Sequence, residues 1–241
     1  MRTLMRLEFL FKQATRGLSG EAKEDSRTVI DAMMDILEIV GRSDLKTEFI
    51  KELDRQRAAL TALAASPAVD TQLLEGILEA LERLSARFVG DTAPLGDPLR
   101  RHELLNLIRQ RSGVPGGTCE FDLPGYHYWL HRPAEQRRAD LAAWLAHLGT
   151  LREAVGLILK LVRESAVPSR VIAEGGVYQR SLDANEPYQL VRVAVPAECP
   201  YYPDISGGKH RFTVRFMLPR QHERPVQAGE DVPFMLSCCA L

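Results

Sequence analysis

The chain has little that would suggest a membrane protein or a protein that binds polyanions. Its apolar runs fall well short of the ~18 residues that cross a bilayer. It carries 31 Lys and Arg residues against 32 Asp and Glu residues, which gives a formal net charge of −1. Broad binding to nucleic acid or to an acidic membrane surface needs a clear basic excess. We therefore expect neither nucleic acid nor membrane among its partners.

The sequence also has few residues in the patterns that metal sites and enzymes use. Among its four cysteines, no two have the C-x-x-C spacing of a zinc site. His127 and His131 lie four residues apart, but Tyr128 stands where a zinc protease has glutamate. No G-x-S-x-G motif of a hydrolase occurs. The sequence predicts a protein without catalytic activity, metal or cofactor, whose thiols are reduced.

Two periodicities divide the chain. In the first part, apolar residues recur at spacings of three and four, which is typical of amphipathic helices. In the last part, apolar and polar residues alternate, as in YQLVRVAV at residues 188–195, which is typical of strands. We predict an α+β fold, with an α-helical domain at residues 1–165 and a small antiparallel β domain at residues 166–241. Glycine, proline and aspartate predict connections at residues 175–176, 183–187 and 203–208.

Capping residues indicate where several helices begin. Asp44 and Asp70 each precede an amphipathic segment and are suited to accept hydrogen bonds from its first turn. Asp97 is followed by Pro98, a residue favoured at the first helical position. We predict one continuous helix from this pair to about Arg111.

The stretch ISGGKHRFTVRFML at residues 205–218 places cations at alternate positions. On an extended strand residues i and i+2 share a face, so Lys209, Arg211 and Arg215 point the same way. The opposite face is predicted to pack on the core, and it holds His210, Phe212, Val214 and Phe216.

The cationic face has two interpretations. It is either a solvated surface paired with acidic groups of the same chain, or a basic groove for a short acidic peptide. Between Ile205 and Arg224 there are five Lys and Arg residues but a single acid, Glu223, so local neutralisation is poor. The planar guanidinium of arginine also suits bidentate capture of a carboxylate. We favour the groove.

A second basic cluster leaves another class of function open. If Arg100, Arg101, Arg109 and Arg111 lined one helix face, the chain could be a nucleic-acid-binding regulator. The aromatic residues that interleave with cations in such surfaces are missing here. An enzyme with an unrecognised site is a further alternative, disfavoured because the sequence pairs no nucleophile with a base.

Five long segments resemble the ZapD family of bacterial cell division proteins, in the family's order and across nearly the whole chain. They are RTLMRLEFL at 2–10, KTEFIKELDRQ at 46–56, LIRQRSGVPGGTCEFDLPGYHYWLH at 107–131, YPDISGGKHRFTVRFM at 202–217 and LSCC at 236–239.

The resemblance implies a non-catalytic homodimer that joins a helical domain to a β domain. It further implies a cytoplasmic protein at the division septum that binds the C-terminal peptide of FtsZ, the tubulin-like GTPase of the Z ring. Such a dimer would cross-link and bundle FtsZ filaments. The FtsZ tail is short, acidic and partly apolar, which agrees with the basic strand found above.

The resemblance also implies which residues take part. Lys209, Arg211 and Arg215 correspond to the cations that bind the tail. Arg6 and His127 correspond to positions tied to filament bundling. Arg42 corresponds to a position that would line the same pocket as these residues. The family has a functional basic residue where Glu103 stands in this chain, so neighbouring cations are the candidates to replace it. These are Arg100 and Arg101.

Overall fold

A computed structural model describes residues 1–41, 44–64, 69–183, 185–208 and 210–241 of the chain, so Arg42 and Lys209 lie outside the described residues. The fold is α+β, as predicted, because helices occupy the first part and antiparallel strands the last. In the described residues the helices are α1 Arg2–Leu18, α2 Lys23–Val40, α3 Leu45–Leu63, α4 Thr71–Gly90, α5 Asp97–Arg101, α6 Glu103–Arg111, α7 Pro124–Leu130, α8 Ala134–Ala146 and α9 Gly149–Glu164.

Contacts divide the chain into two compact units, residues 1–159 and 160–241. The domain division predicted at residues 165 and 166 stays a prediction. In the first unit α1 and α2 pack along each other, and so do α3 and α4. The apolar stripe of each helix is buried, as with Leu7 of α1 and Leu81 of α4. Among the described residues, no helix has the length and apolar character needed to span a membrane.

The predicted helix starts agree with the structure in part. Asp70 caps α4, because its side chain accepts a hydrogen bond from the Leu73 N–H at 3.1 Å. Asp44 lies at the N-cap of α3 but makes no side-chain capping bond to the described residues. The continuous helix predicted up to Arg111 is wrong. The chain breaks at His102, whose Nδ1 accepts a hydrogen bond from the Leu105 N–H at 3.5 Å and so caps a new helix, α6.

The described residues of the second unit form two antiparallel sheets. One has the strand order β1-β7-β3, and the other has the order β2-β5-β4, with the short β6 also paired to β5. The tight turn predicted at Gly175 and Gly176 joins β1 to β2, and both glycines have left-handed φ angles of 53° and 76°. The strands are β1 Ser169–Ala173, β2 Val177–Ser181, β3 Tyr188–Ala194, β4 Tyr202–Gly207, β5 Arg211–Leu218, β6 Val226–Gln227 and β7 Val232–Ala240.

The core of this unit is formed by buried apolar residues of β5 and β7. Phe216 is fully buried, and its ring lies 5.1 Å from that of Phe234. The predicted burial of one face of β5 is confirmed for Phe212, Val214 and Phe216. It is wrong for His210, which is exposed because it precedes the strand.

Candidate functional site

The buried face of β5 fixes where its cations point. Phe212, Val214 and Phe216 face the core, so Arg211 and Arg215 lie on the opposite, exposed face of the sheet. A hollow of about 620 Å³ opens on this side of the second unit. We call it the basic groove, and it is lined by Gln179, Ser206, Gly207, Gly208, His210, Arg211, Phe212, Thr213 and Arg215.

The two arginines of the basic groove are held at a defined spacing. Arg211 and Arg215 are four residues apart on one strand, which places their Cα atoms about 13 Å apart. Thr213 lies between them on the same face. β5 is hydrogen-bonded on both sides, to β2 and to β4, so its backbone is anchored within the sheet. The groove therefore presents two positive charges on an ordered strand. Lys209, the third predicted cation, lies outside the described residues.

Neither arginine of the groove forms an ion pair with a described residue. Asp204 of β4 is the cross-strand partner of Arg215, and so it is the acid best placed to pair with that arginine. Within the described ranges, however, Arg211 and Arg215 form no ion pair or side-chain hydrogen bond. The interpretation of a cationic face paired with acids of the same chain is thus not realised among these residues. Two guanidinium groups remain available to bind an anionic partner.

The basic groove has open space at Gly208. A Cβ built on this glycine would meet no atom within 4 Å. By contrast, a Cβ on the neighbouring Gly207 would lie 3.0 Å from the Cβ of Phe212, because that residue faces the core. Ser206, on the same face as Gly208, also has a small side chain. The surface beside Arg211 therefore has open space that no described side chain fills.

In the first unit, Arg6 and Arg100 line two neighbouring hollows. Arg6 borders one of about 570 Å³ beside the exposed Phe9. Arg100 borders another of about 610 Å³. Both hollows share Asp35 and Glu38 of α2, so each is lined by groups of both charge signs. Partial burial and the nearby Glu38 raise the pKa of Asp35, which makes its charge more costly.

The second basic cluster is broken up by contacts within the first unit. Arg100 donates a hydrogen bond to the Leu37 carbonyl oxygen at 2.6 Å, and burial lowers its pKa. Arg101 pairs with Asp97 at 2.9 Å. Arg109 donates to the side-chain oxygen of Asn106 at 2.9 Å. Three of the four arginines of this cluster are thus already engaged, which weighs against the nucleic-acid alternative.

His127 lies at the end of the glycine-rich connection, on α7. Its Nδ1 is 3.3 Å from a carboxylate oxygen of Glu120, and its ring centroid is 4.2 Å from that of His131. Phe121 and Tyr128 beside it are among the most exposed large apolar residues of the described chain. No metal-binding group of three or more candidate ligands occurs among the described residues. Arg42 falls outside them.

Sequence reasoning missed some of the residues that form the basic groove. Gln179 enters it from β2, and Ser206 from β4. Neither strand has a strong sequence signature, so their pairing with β5 was not expected. Cross-strand register places Gln179 and Ser206 on either side of Thr213. Only the strand order, which comes from tertiary pairing, could have identified them.

Comparisons with known proteins agree with the resemblance found in the sequence. The model of the ZapD family, described as cell division protein, matches residues 5–215. A protein of Methylococcus capsulatus named "Cell division protein ZapD" is 43% identical over 241 residues, covering 100% of this chain and 94% of that protein. Proteins of the same name from Aromatoleum aromaticum and Cupriavidus pinatubonensis are 39% and 40% identical, over 100% and 99% of this chain and 94% and 95% of theirs.

Proposed function

Because this chain belongs to the ZapD family of cell division proteins, we propose that it binds the acidic C-terminal tail of FtsZ in the basic groove. As a homodimer it would present that groove twice and cross-link FtsZ filaments at the division septum. It acts without catalysis or a cofactor. Its role in cell division is that of an adaptor between filaments.

One observation carries this proposal. Arg211 and Arg215 lie on the exposed face of a strand that is hydrogen-bonded on both sides, and no described residue forms an ion pair with them. Hydrogen bonds between charged partners are roughly twice as strong as those between neutral ones. Little conformational entropy is lost from the backbone of β5 when a ligand binds, because the strand is already ordered. A short acidic segment therefore finds both charge complementarity and a preformed support.

Filament bundling would result from the two-fold symmetry of the dimer and from the many tails on each filament. A dimer with a two-fold axis displays two identical grooves, and each can hold the tail of a different filament. Because many tails project from one filament, a second contact forms at high effective concentration once the first has formed. Modest affinity at each groove is then enough for strong cross-linking.

The cations of the first unit take a different part in the proposal. Arg6 and Arg100 share their hollows with Asp35 and Glu38, so these surfaces carry charges of both signs. Such mixed surfaces fit a contact with the folded part of a partner better than capture of a strongly acidic tail. We assign Arg6, Arg100, Arg101, His127 and Arg42 to bundling contacts, and Lys209 to tail binding together with Arg211 and Arg215.

Salt is expected to weaken tail binding. Exposed ion pairs are screened as the Debye length falls from about 10 Å at 0.1 M salt to about 3 Å at 1 M. Isothermal titration of a synthetic FtsZ tail peptide should give a dissociation constant that rises about tenfold between ~0.05 M and ~0.5 M salt. A dissociation constant that stays constant over this range would mean that apolar contacts, rather than the arginines, hold the tail.

A larger side chain at Gly208 is expected to block binding of the tail while leaving the fold intact. Gly208 lacks a left-handed φ, and a side chain there would meet no neighbour at its Cβ. Gly208→Leu should therefore be tolerated and should weaken peptide binding about tenfold or more, equivalent to about 1.4 kcal/mol. Gly229→Leu is the matched control, since Gly229 also has open space at its Cβ and lies outside the groove. Equal binding by the two variants would place the tail elsewhere.

A further inference from the structure

Two histidines at the end of α7 bring their rings together on the surface of the first unit. His127 lies within the helix and His131 follows its last residue, one turn later, so the two side chains are neighbours. Their ring centroids are 4.2 Å apart, with 47° between the ring planes. His131 is exposed, and the side chain of His127 is 41% exposed, so small ions in solution can reach both rings.

The helix that carries this pair is anchored in the core. Tyr126, Trp129 and Leu130 of α7 are buried. In addition, the Trp129 Nε1–H donates to the side-chain carboxylate of Asp140 on α8 at 2.8 Å. The backbone that presents the two rings is therefore already ordered, and little of its conformational entropy is lost when a ligand binds.

A hydrogen bond determines which nitrogen of His131 carries the proton. Its Nδ1 lies 2.8 Å from the backbone carbonyl oxygen of His127. Because a carbonyl oxygen can only accept, Nδ1 is the nitrogen that donates. In the neutral ring the lone pair is then on Nε2. This Nε2 has no hydrogen-bond partner among the described residues.

Glu120 has the corresponding effect on His127. A carboxylate oxygen of Glu120 lies 3.3 Å from the His127 Nδ1. Its negative charge favours the neutral tautomer that has the proton on Nδ1, which again leaves the lone pair on Nε2. Two adjacent exposed rings thus each present an Nε2 with a free lone pair.

This arrangement is typical of histidines that bind metal ions. A metal-binding histidine usually donates its other ring N–H to a carboxylate or a backbone carbonyl, which fixes the tautomer and makes the ligand nitrogen more basic. His127 has the carboxylate of Glu120 for this purpose, and His131 has a backbone carbonyl. Both second partners that such a site needs are therefore present.

The distance between the rings suits a single ion. Two nitrogens bound to one tetrahedral zinc ion at about 2.0–2.1 Å lie about 3.3 Å apart. Ring centroids at 4.2 Å are compatible with that separation. The carboxylate of Glu120 also places a negative charge beside the cation.

The sequence alone predicts no metal here, because Tyr128 stands where a zinc protease has glutamate. That glutamate is a base and not a ligand, so a binding site does not need it. Among the described residues, no third side chain completes a group of ligands. Two protein nitrogens leave two positions of a tetrahedral ion to water. The arrangement therefore fits an exchangeable ion and not a structural zinc ion, which has four protein ligands.

We propose that His127 and His131 bind one divalent transition metal ion through their Nε2 atoms, with Glu120 as the positioning residue. Imidazole suits zinc, copper and nickel, whereas Mg²⁺ and Ca²⁺ prefer oxygen ligands. The ion adds positive charge to a surface on which Phe121 and Tyr128 are exposed. This site lies in the first unit, so it does not depend on the binding of a tail in the basic groove of the second.

Calorimetric titration of the complete chain with zinc chloride is the first test. The thiols bind zinc as well, so variants are compared. His131→Ala should bind one zinc ion fewer than the unmodified chain. His222→Ala is the matched control, because His222 is exposed and has no other histidine within four residues, and it should bind as the unmodified chain does. Magnesium chloride should show no difference between His131→Ala and the unmodified chain. Equal zinc binding by His131→Ala and the unmodified chain would show that the proposal is wrong.

Nitrogen-15 NMR of the histidine rings identifies the ligand atoms. Zinc should shift the Nε2 signals of His127 and His131 and leave those of His147 and His222 in place. If the zinc-dependent shifts occur at other histidines, or if neither Nε2 signal moves, the ion is bound elsewhere and the assignment is contradicted.

Glu120→Gln tests the positioning residue. The change keeps the size of the side chain but removes its charge, and it should weaken zinc binding about tenfold or more, as the loss of a partner behind a ligand typically does. The same spectra should show that the His127 tautomer with its proton on Nδ1 is less populated. Glu75→Gln is the matched control, since Glu75 is an exposed glutamate of α4 that lines a different hollow. Equal zinc affinity of the two variants would contradict the role of Glu120.

Discussion

Replacing Arg211 and Arg215 together by glutamate is expected to abolish binding of the FtsZ tail. Each arginine can form charge-assisted hydrogen bonds of about 1.5–3 kcal/mol with a carboxylate. Their loss, and the repulsion that replaces them, should weaken binding at least about 100-fold, which is about 2.7 kcal/mol or more. Fluorescence anisotropy of a labelled tail peptide measures the change. Both side chains are exposed, so the fold should be unaffected.

The matched control reverses the charge of two other exposed arginines of the same unit. Arg170 and Arg224 are exposed and do not line the basic groove, and their replacement by glutamate changes the net charge by the same amount. This control should bind the peptide within about threefold of the unmodified chain, because distant charges are screened by salt. If the control loses as much affinity as the double variant in the groove, binding depends on overall charge and not on this site.

Phe216→Ala is expected to be among the most destabilising single substitutions in the second unit. Its ring is fully buried between the sheets and packs 5.1 Å from that of Phe234. Truncating a core phenylalanine to alanine typically costs about 3–5 kcal/mol, a large part of the ~5–15 kcal/mol that stabilises a domain. Since Phe216 follows Arg215 directly, loosening it also disturbs the face that presents the cations. Native-state hydrogen exchange of the β5 amides in increasing urea gives the free energy of opening.

The control for this core substitution lies on β7. Met235 alternates with the buried Phe234 and Leu236, and 39% of its surface is exposed. Met235→Ala should lower the free energy of opening by less than about 1 kcal/mol, because exposed positions make few core contacts. A loss of under about 1 kcal/mol for Phe216→Ala as well would mean that the sheets are not held together by this core.

The sequence predicted the cationic face of β5 because alternation is a local property. Along Arg211 to Phe216 every second residue is apolar, and the strand could bury only one face. The fold class could be predicted for the same reason, since helices and strands differ in period. The break of the helix at His102 could not be predicted from the sequence. Proline and aspartate gave a strong start signal for one helix, while the second cap depends on a histidine side chain with no clear sequence signature.

The edge strand β4 was predicted as a connection because its composition is that of a turn. Pro203, Asp204, Ser206 and Gly207 all have low strand propensity. Pairing with β5 outweighs that preference, and the register from Tyr202 to Gly207 is regular. The same local features leave Ile205 and the glycines at an open edge. The hollows lined by Arg6 and Arg100 could not be predicted from the sequence either. They also depend on tertiary packing, because Asp35 and Glu38 come from another helix.

Co-sedimentation with FtsZ polymers shows whether this chain recognises the FtsZ tail. Two preparations of polymerised FtsZ are compared, one complete and one lacking the C-terminal tail. We expect the chain to pellet with complete polymers and to stay in the supernatant with tailless ones. Equal pelleting with both preparations would contradict it, because the tail would then not be what this protein recognises.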